Sequence, residues 1–149
     1  MNVAVWLLIA ALFGLTAVAL GAAEAHGVAT EAIPQRAALA TAVRYQLIHA
    51  LALFAIAWLG SRDPRARLVI LAGWAYVVGV ILFSGSIYLS VLLSVEGITY
   101  AAPFGGLFLM AGWALLAVYA VILIRRTRTS RTGVAGTSVA RTSVDDSAA

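Results

Sequence analysis

Four long apolar stretches constrain what this chain of 149 residues can fold into more than any other feature. An α-helix needs about 20 predominantly apolar residues to cross the roughly 30 Å hydrocarbon core of a bilayer. Three stretches reach that length, and mostly apolar residues before the second one extend it. The sequence therefore predicts an all-α integral membrane protein with four transmembrane helices and short loops. The stretches cover residues 3–23, 45–60, 68–95 and 101–124.

Composition supports a membrane location. Hydrophobic residues make up 63% of the chain and charged residues 11%, compared with roughly 25% charged residues in an ordinary soluble domain. Cysteine is absent, which excludes disulfides, cysteine-ligated metals and thiol nucleophiles. The net charge of +4 does not indicate a nucleic-acid partner, because most of the excess arginines flank the apolar stretches, where basic residues set the topology.

The helix boundaries follow from the apolar stretches and the residues that flank them. We expect helices over about residues 3–25, 34–59, 68–94 and 101–124, which together form one transmembrane domain over residues 1–124. Pro34 suits the first position of the second helix, because its missing N–H needs no partner there. Residues 125–149 are mainly Thr, Ser, Gly, Arg, Val and Ala and cannot bury a core. Such a composition predicts a disordered, arginine-rich tail.

The distribution of arginines predicts the orientation of the helices. The second loop and the tail carry more arginines than acidic residues, whereas the first loop is balanced and the third carries one glutamate. Four helices place the N-terminus, the second loop and the tail on the same side. Because basic segments favour the cytoplasm, we expect both termini there. The predicted location is the bacterial plasma (inner) membrane, since arginine without lysine is typical of a GC-rich bacterial genome.

An alternative for residues 1–25 is a secretory signal peptide, with Ala23-Glu24-Ala25 as its cleavage site. Signal peptides begin with a basic region and have an apolar core of roughly 7–15 residues. This segment has no basic residue at its start, and its apolar run covers residues 3–23. We therefore expect it to remain in place as the first transmembrane helix.

Small residues recur on one face of several predicted helices. Membrane helices associate by close backbone approach, which small side chains permit. We expect these faces to form helix contacts; the alternative is that glycine-rich faces line a substrate path. The glycines predicted at helix contacts are Gly14, Gly21, Gly79, Gly105, Gly106 and Gly112.

Polar residues within the apolar stretches form the candidate functional cluster. A polar side chain is costly in a bilayer, so each one is a functional hypothesis by default. Helical periodicity places Tyr45, Gln46 and His49 on one face of the second helix. Ser84 and Ser86 interrupt the third helix, where their hydroxyls bond either to a carbonyl one turn earlier or to a neighbour such as His49. The cluster acts either as a polar network that sets helix register or as a proton relay or ligand contact.

Three polar residues are predicted at the outer membrane interface: Glu24, His26 and Arg44. Arg44 lies away from His49 on the helix, so we expect its side chain to extend to the headgroups. His26 and His49, on neighbouring helices at similar predicted depth, are the minimum for a bis-histidine haem site. Because nothing in the sequence indicates a cavity for the macrocycle, we expect no metal and no cofactor.

The sequence contains no recognisable catalytic set. It lacks a phosphate-binding loop, an H-E-x-x-H motif and a Ser–His–acid set with plausible geometry. Its aspartates all lie in the second loop or the tail, so paired aspartates within the membrane are excluded. The remaining catalytic candidate is His49 with Ser84 or Ser86. We expect a protein that is not an enzyme.

Several short motifs recur in the order and at the spacing of a known family. Together they resemble the domain of unknown function 423, a family of small membrane proteins, over roughly residues 5–122. The family usually has Phe-Gly at the position of Ala23-Glu24, so this chain differs by a carboxylate two residues before His26. The resemblance implies a four-helix integral membrane protein without an established biochemical activity. The motifs are ALGA at 19–22, AHG at 25–27, TAVRYQ at 41–46 with His49, LFSGS at 82–86 with Tyr88, residues 103–106 and AGWAL at 111–115.

These observations favour an accessory or structural component that associates with itself or with a larger membrane assembly. The small-residue faces, the short loops and the lack of a catalytic set all support this interpretation. The alternative is a small oligomeric transporter or channel with a polar path around His49. A haem-binding redox subunit is a third hypothesis, and it depends on His26 and His49.

Overall fold

The computed structural model describes residues 3–26, 33–63, 66–95 and 97–145, with residues 127–145 described by their backbone alone. The architecture of this part of the chain is all-helical, as predicted. A π-helical turn joins α3 to α4, and a 3₁₀ turn precedes α5. The elements are α1 Val3–Ala25, α2 Ile33–Arg62, α3 Arg67–Val80, the π turn Ile81–Gly85, α4 Ser86–Leu93, the 3₁₀ turn Ile98–Ala101 and α5 Ala102–Asp145.

Four helical segments are long and apolar enough to cross a membrane, which confirms the predicted number of spans. The second and third segments are half buried over their most apolar windows, whereas only 17% of the corresponding windows of the first and fourth is buried. The first and fourth spans therefore expose most of their apolar surface. The segments are Val3–Ala25, Ile33–Arg62, Arg67–Leu93 and Ile98–Arg126.

Helix α5 keeps a helical backbone from Ala102 to Asp145. The helix end expected near residue 124 and the disorder expected after it are therefore not confirmed. No proline follows Pro103, so no residue in the tail removes a backbone donor from the helix. Residues 146–149 lie outside the described part. The described residues up to Leu116 form one compact unit that contains the helix bundle, and the described residues from Ala117 onward form a second unit.

Helices α1 and α2 pair in an antiparallel register. Gln46 of α2 reaches Phe13 and Thr16 of α1, and Glu24, farther along α1, lies opposite the earlier α2 residue Arg36. A methyl group at Gly21 would lie 3.2 Å from Val43 Cγ1, so this glycine lies at the contact. The small side chain lets the two backbones approach closely, as membrane helix pairs require.

Glycines also bring the start of α5 against the third span. At three positions along this antiparallel contact, an added methyl group would overlap atoms of the facing helix. A methyl group at Gly14 or Gly106 would instead have open space around it. Of the six glycines predicted at helix contacts, Gly79, Gly105 and Gly112 are therefore needed for close packing, whereas Gly14 and Gly106 are not. The close pairs are Gly79 with Leu109, Gly105 with the backbone of Phe83, and Gly112 with the ring of Tyr76.

The serine-rich segment of the third span forms the π turn. Ser84 is fully buried, and its Oγ donates a hydrogen bond of 2.9 Å to Ala42 O on α2. Ser86 Oγ donates to Phe83 O at 3.0 Å, within its own span. One serine thus reaches the neighbouring helix and the other bonds back to the preceding turn, both of which the sequence suggested. The acceptor on α2 is a backbone carbonyl and not His49.

Candidate functional site

Gln46 is the polar link between α1 and α2. Its side chain is 4% exposed, and its Nε2 donates to Phe13 O at 2.8 Å and to Thr16 Oγ1 at 2.6 Å. Thr16 Oγ1 donates in turn to Leu12 O at 2.8 Å. Because an amide nitrogen carries two hydrogens, both donors of Gln46 are used in this link. The residue holds two helices in one register.

His49 is the polar link between α2 and α5. Its side chain is 3% exposed, its Nδ1 lies 2.7 Å from Tyr45 O, and Trp113 Nε1 donates to its Nε2 at 3.1 Å. A carbonyl only accepts and an indole N–H only donates, so Nδ1 carries the proton and Nε2 accepts. The two contacts therefore select one neutral tautomer, and both ring nitrogens are occupied.

Aromatic rings surround His49. The His49 ring lies 6.2 Å from the Tyr45 ring, 5.2 Å from Tyr76 and 6.1 Å from Trp113, and Tyr45 packs at 4.8 Å against Phe83. Tyr76 and Trp113 meet edge to face at 5.4 Å. Such ring separations are typical of favourable aromatic pairs. Tyr76 Oη is buried and has no hydrogen-bond partner among the described residues.

A cavity of about 260 Å³ lies beside this ring cluster, and we call it the aromatic cavity. Aromatic side chains, the thioether of Met110 and Gly106 contribute to its lining. Three of its lining residues, Tyr45, Met110 and Trp113, are 41–61% exposed, so the cavity opens on the lipid-facing surface of the bundle. None of its lining residues is acidic or basic apart from the neutral His49. The lining includes Tyr45, His49, Phe83, Gly106, Met110 and Trp113.

A second cavity of about 320 Å³ lies on the other side of the π turn, between α1, α2 and the third span. Its lining includes the polar residues Gln46, Thr16 and Tyr88. Gly85 also lines it, and an added methyl group there would meet no atom within 4 Å. The Tyr88 hydroxyl is buried near Ser84 without a hydrogen bond of good geometry. The π turn therefore separates two cavities, with Phe83 lining the first and Gly85 the second.

The interface residues do not join the polar cluster. Glu24 Oε1 lies 3.9 Å from Arg36 Nε, and Arg36 Nη2 donates to Glu24 O at 3.3 Å. This pair and the α1–α2 register place His26 near the start of α2, about 20 Å along the axis from His49 at a rise of about 1.5 Å per residue. The similar depth expected for the two histidines was therefore wrong. Arg44 is exposed.

A haem or metal site finds little support in this arrangement. His49 has both ring nitrogens in hydrogen bonds, so axial ligation through Nε2 would break its bond with Trp113. His26 is exposed at the end of α1, far from that ring. Among the described residues, no group of three or more His, Cys, Asp or Glu side chains could hold a metal ion.

Of the five residues in the predicted polar cluster, four are buried and Tyr45 is exposed, and the sequence did not indicate the partners of Gln46 and His49. Trp113 and Thr16 complete the two interhelical links, yet neither was among the candidate residues. An indole N–H within a membrane needs an acceptor, so Trp113 carried a usable signal. Thr16 carried a weaker signal, because a threonine in a helix commonly bonds to its own backbone.

Comparisons with known proteins show what this chain resembles. The family model described as "Protein of unknown function (DUF423)" matches residues 20–106. The UPF0382 membrane protein YwdK of Bacillus subtilis is 34% identical over 119 residues, which cover 78% of this chain and 96% of the relative. The UPF0382 inner membrane protein YgdD of Escherichia coli K12 is 36% identical over 124 residues, covering 80% and 92%.

A UPF0382 membrane protein of Haemophilus influenzae is 35% identical over 115 residues, which cover 75% of this chain and 90% of the relative. No solved structure matches the chain. The names of these relatives place them in membranes and assign them no reaction. The family match and the near full-length coverage of the relatives confirm the resemblance that the motifs indicated. The chain belongs to the DUF423 family of membrane proteins.

Proposed function

We propose that this protein is a non-catalytic structural or accessory component of a membrane assembly. The observation that carries the proposal is the use of the buried polar side chains. Gln46 links α2 to α1, Ser84 links the third span to α2, and His49 links α2 to α5 through Trp113. Each link joins two helices, which is what a rigid scaffold requires.

The same hydrogen bonds argue against a catalytic role. A Ser–His dyad needs the serine hydroxyl within hydrogen-bond reach of the imidazole. Ser84 donates to Ala42 O and Ser86 donates to Phe83 O, while His49 accepts from Trp113. A base at His49 would first have to lose its indole partner. These contacts support a protein that is not an enzyme.

An exposed seam on α1 supports self-association or docking to another membrane protein. Residues on this seam recur at alternating spacings of four and three, and three of the six are alanines. Such heptad spacing with small residues is typical of interfaces between membrane helices. All six residues are exposed in the single chain: Ala4, Leu8, Ala11, Leu15, Val18 and Ala22.

The test is an affinity pull-down of the tagged full-length chain from native membranes in mild detergent, with co-purifying chains quantified by mass spectrometry. A stoichiometric second copy or membrane partner is the expected result. Ala11→Trp, on the seam, should reduce that recovery, whereas Leu51→Trp at the exposed surface of α2 should not. Recovery of a lone monomer, with no partner lost on solubilisation, would contradict the proposal.

We also infer that both termini face the cytoplasm of the bacterial inner membrane. Four spans put the termini on one side, and the arginine excess in the second loop and the tail supports the cytoplasmic side. Relatives named as membrane and inner membrane proteins support the compartment.

A second candidate function is a small oligomeric transporter or channel. The observation that favours it is that two polar residues of the predicted cluster, His49 and Tyr45, line the aromatic cavity. This function predicts proton, ion or small-solute flux in liposomes that is lost in His49→Ala, with folding retained. Flux no greater than in empty vesicles would eliminate it.

A further inference from the structure

We propose that the aromatic cavity binds the ring of a neutral, electron-poor, lipid-soluble molecule, with a quinone carrying a hydrocarbon tail as the chemical class. The inference is independent of the proposed accessory role, because the cavity can bind such a ligand whether or not the protein is part of a larger assembly. It depends on the size of the cavity, the chemistry of its wall and its opening toward the bilayer.

The volume selects a ring of moderate size. A dry apolar cavity of about 150 Å³ is sufficient to bind benzene. The aromatic cavity measures about 260 Å³, so it has room for a substituted or bicyclic ring. A complete haem does not fit such a volume, and a water molecule would find few polar partners there.

The aromatic side chains that line the cavity favour a ligand with an electron-poor ring. Tyr45, Phe83, His49 and Trp113 line the cavity, and aromatic faces carry negative quadrupole potential. Such faces attract either a cation or an electron-poor ring. A cation within a membrane span is costly, and the cavity has no acidic residue to pair with it. A neutral electron-poor ring avoids the cost of a buried charge and is attracted by the ring quadrupoles, whereas a saturated chain gains only dispersion contact.

The opening accounts for the tail. Met110 is 61% exposed on the same side as Tyr45 and Trp113, so the cavity faces the surface that lipid covers. A ligand that arrives through the bilayer can place its ring inside and leave its hydrocarbon tail among the acyl chains. Direct access from water is not needed.

Gly106 supplies the sharpest test because it lines the cavity and has open space around an added Cβ atom. Gly106 lines the aromatic cavity, and a methyl group at this position would meet no atom within 4 Å. Gly85 has the same open surroundings but lines the second cavity. Gly106→Leu therefore fills the proposed site, and Gly85→Leu is the matched control on the other side of the π turn.

The experiment measures quenching of Trp113 fluorescence by 2-methyl-1,4-naphthoquinone in lipid nanodiscs. The full chain carries Trp6→Phe, Trp58→Phe and Trp74→Phe, so that Trp113 is the remaining indole. We expect saturable quenching above the linear background that arises from partition into lipid. Gly106→Leu should raise the Kd at least tenfold, and Gly85→Leu should leave it within about twofold.

Two further variants keep the test decisive if Gly106→Leu fails to fold. Tyr45→Leu removes one ring from the wall, and the loss of one aromatic pair should raise the Kd roughly twofold to tenfold. Tyr45→Phe keeps the ring and should preserve binding. The absence of a saturable component, equal binding in Gly106→Leu, or equal competition by a saturated bicyclic hydrocarbon of the same size would each overturn the proposal.

Discussion

Substituting Trp113 by phenylalanine is the most direct test of the interhelical link at His49. The indole donates to His49 Nε2 at 3.1 Å, and its ring also packs against Tyr76 at 5.4 Å. Phenylalanine keeps a ring at this position but removes the N–H. The buried Nε2 of His49 then loses its donor, while the bond from Nδ1 to Tyr45 O remains.

The expected coupling free energy between His49 and Trp113 follows from two kinds of measurement on other proteins. Leaving a buried acceptor unpaired costs about 1–3 kcal/mol in soluble proteins. Hydrogen bonds between membrane helices average about 0.6 kcal/mol in double-mutant cycles, with a maximum near about 1.7 kcal/mol. Because His49 is almost fully buried in a membrane bundle, we expect a coupling free energy with Trp113 of about 0.6–1.7 kcal/mol.

A double-mutant cycle isolates this coupling. The free energy of unfolding is measured for Trp113→Phe, His49→Phe and the double variant by reversible titration with a denaturing detergent, followed by circular dichroism. The control cycle pairs His49→Phe with Trp58→Phe, because Trp58 is exposed and packs against Arg62. A Trp113–His49 coupling within about 0.3–0.5 kcal/mol of zero, the range of independent sites, would refute the reasoning.

The remaining predictions concern packing, register and topology. Gly105→Ala should lower the free energy of unfolding by about 1–3 kcal/mol through overlap with the third span, whereas Gly106→Ala should be neutral or slightly stabilising, as measured by the same titration. Gln46→Leu should cost about 1 kcal/mol by removing the α1 link, and an unchanged titration midpoint would contradict that link. In this cysteine-free chain, Thr99→Cys should react with an impermeant maleimide in intact cells and Ser61→Cys only after lysis, and the reverse pattern would invert the topology.

Hydropathy was sufficient to predict the four spans. Lipid offers no hydrogen-bond partners, so an apolar segment that crosses the bilayer pairs its backbone N–H and C=O groups within a helix. Gln46, His49 and Ser84 are buried, which agrees with the cost of a polar group that faces lipid without a partner. Their partners were not predictable, because a partner depends on the register between helices. The exposed fraction of Tyr45 shows the limit of periodicity: the residue shares a face with His49 but lies at its edge, where it lines a cavity.

Register also explains the error about His26. His26 lies just beyond the first apolar stretch and His49 about one turn inside the second, so counting along the sequence alone predicts a similar depth for both. In the structure, the position is set by side-chain contacts, with Glu24 beside Arg36 and Gln46 beside Phe13. Those contacts place His26 near the start of α2. A haem hypothesis based on two histidines at one depth fails for a geometric reason.

The π turn contributes both to helix packing and to the lining of the two cavities. Its backbone is held from both sides, by Gly105 of α5 against Phe83 and by the hydrogen bond from Ser84 to Ala42 O. A π turn costs helical regularity and persists where it re-aims side chains, which is why such turns frequently occur at functional sites. Here it divides the space between the helices into two cavities with different walls. A ligand in the aromatic cavity would contact Phe83 of this turn, and binding to the folded bundle should stabilise it by RT ln(1 + [L]/Kd).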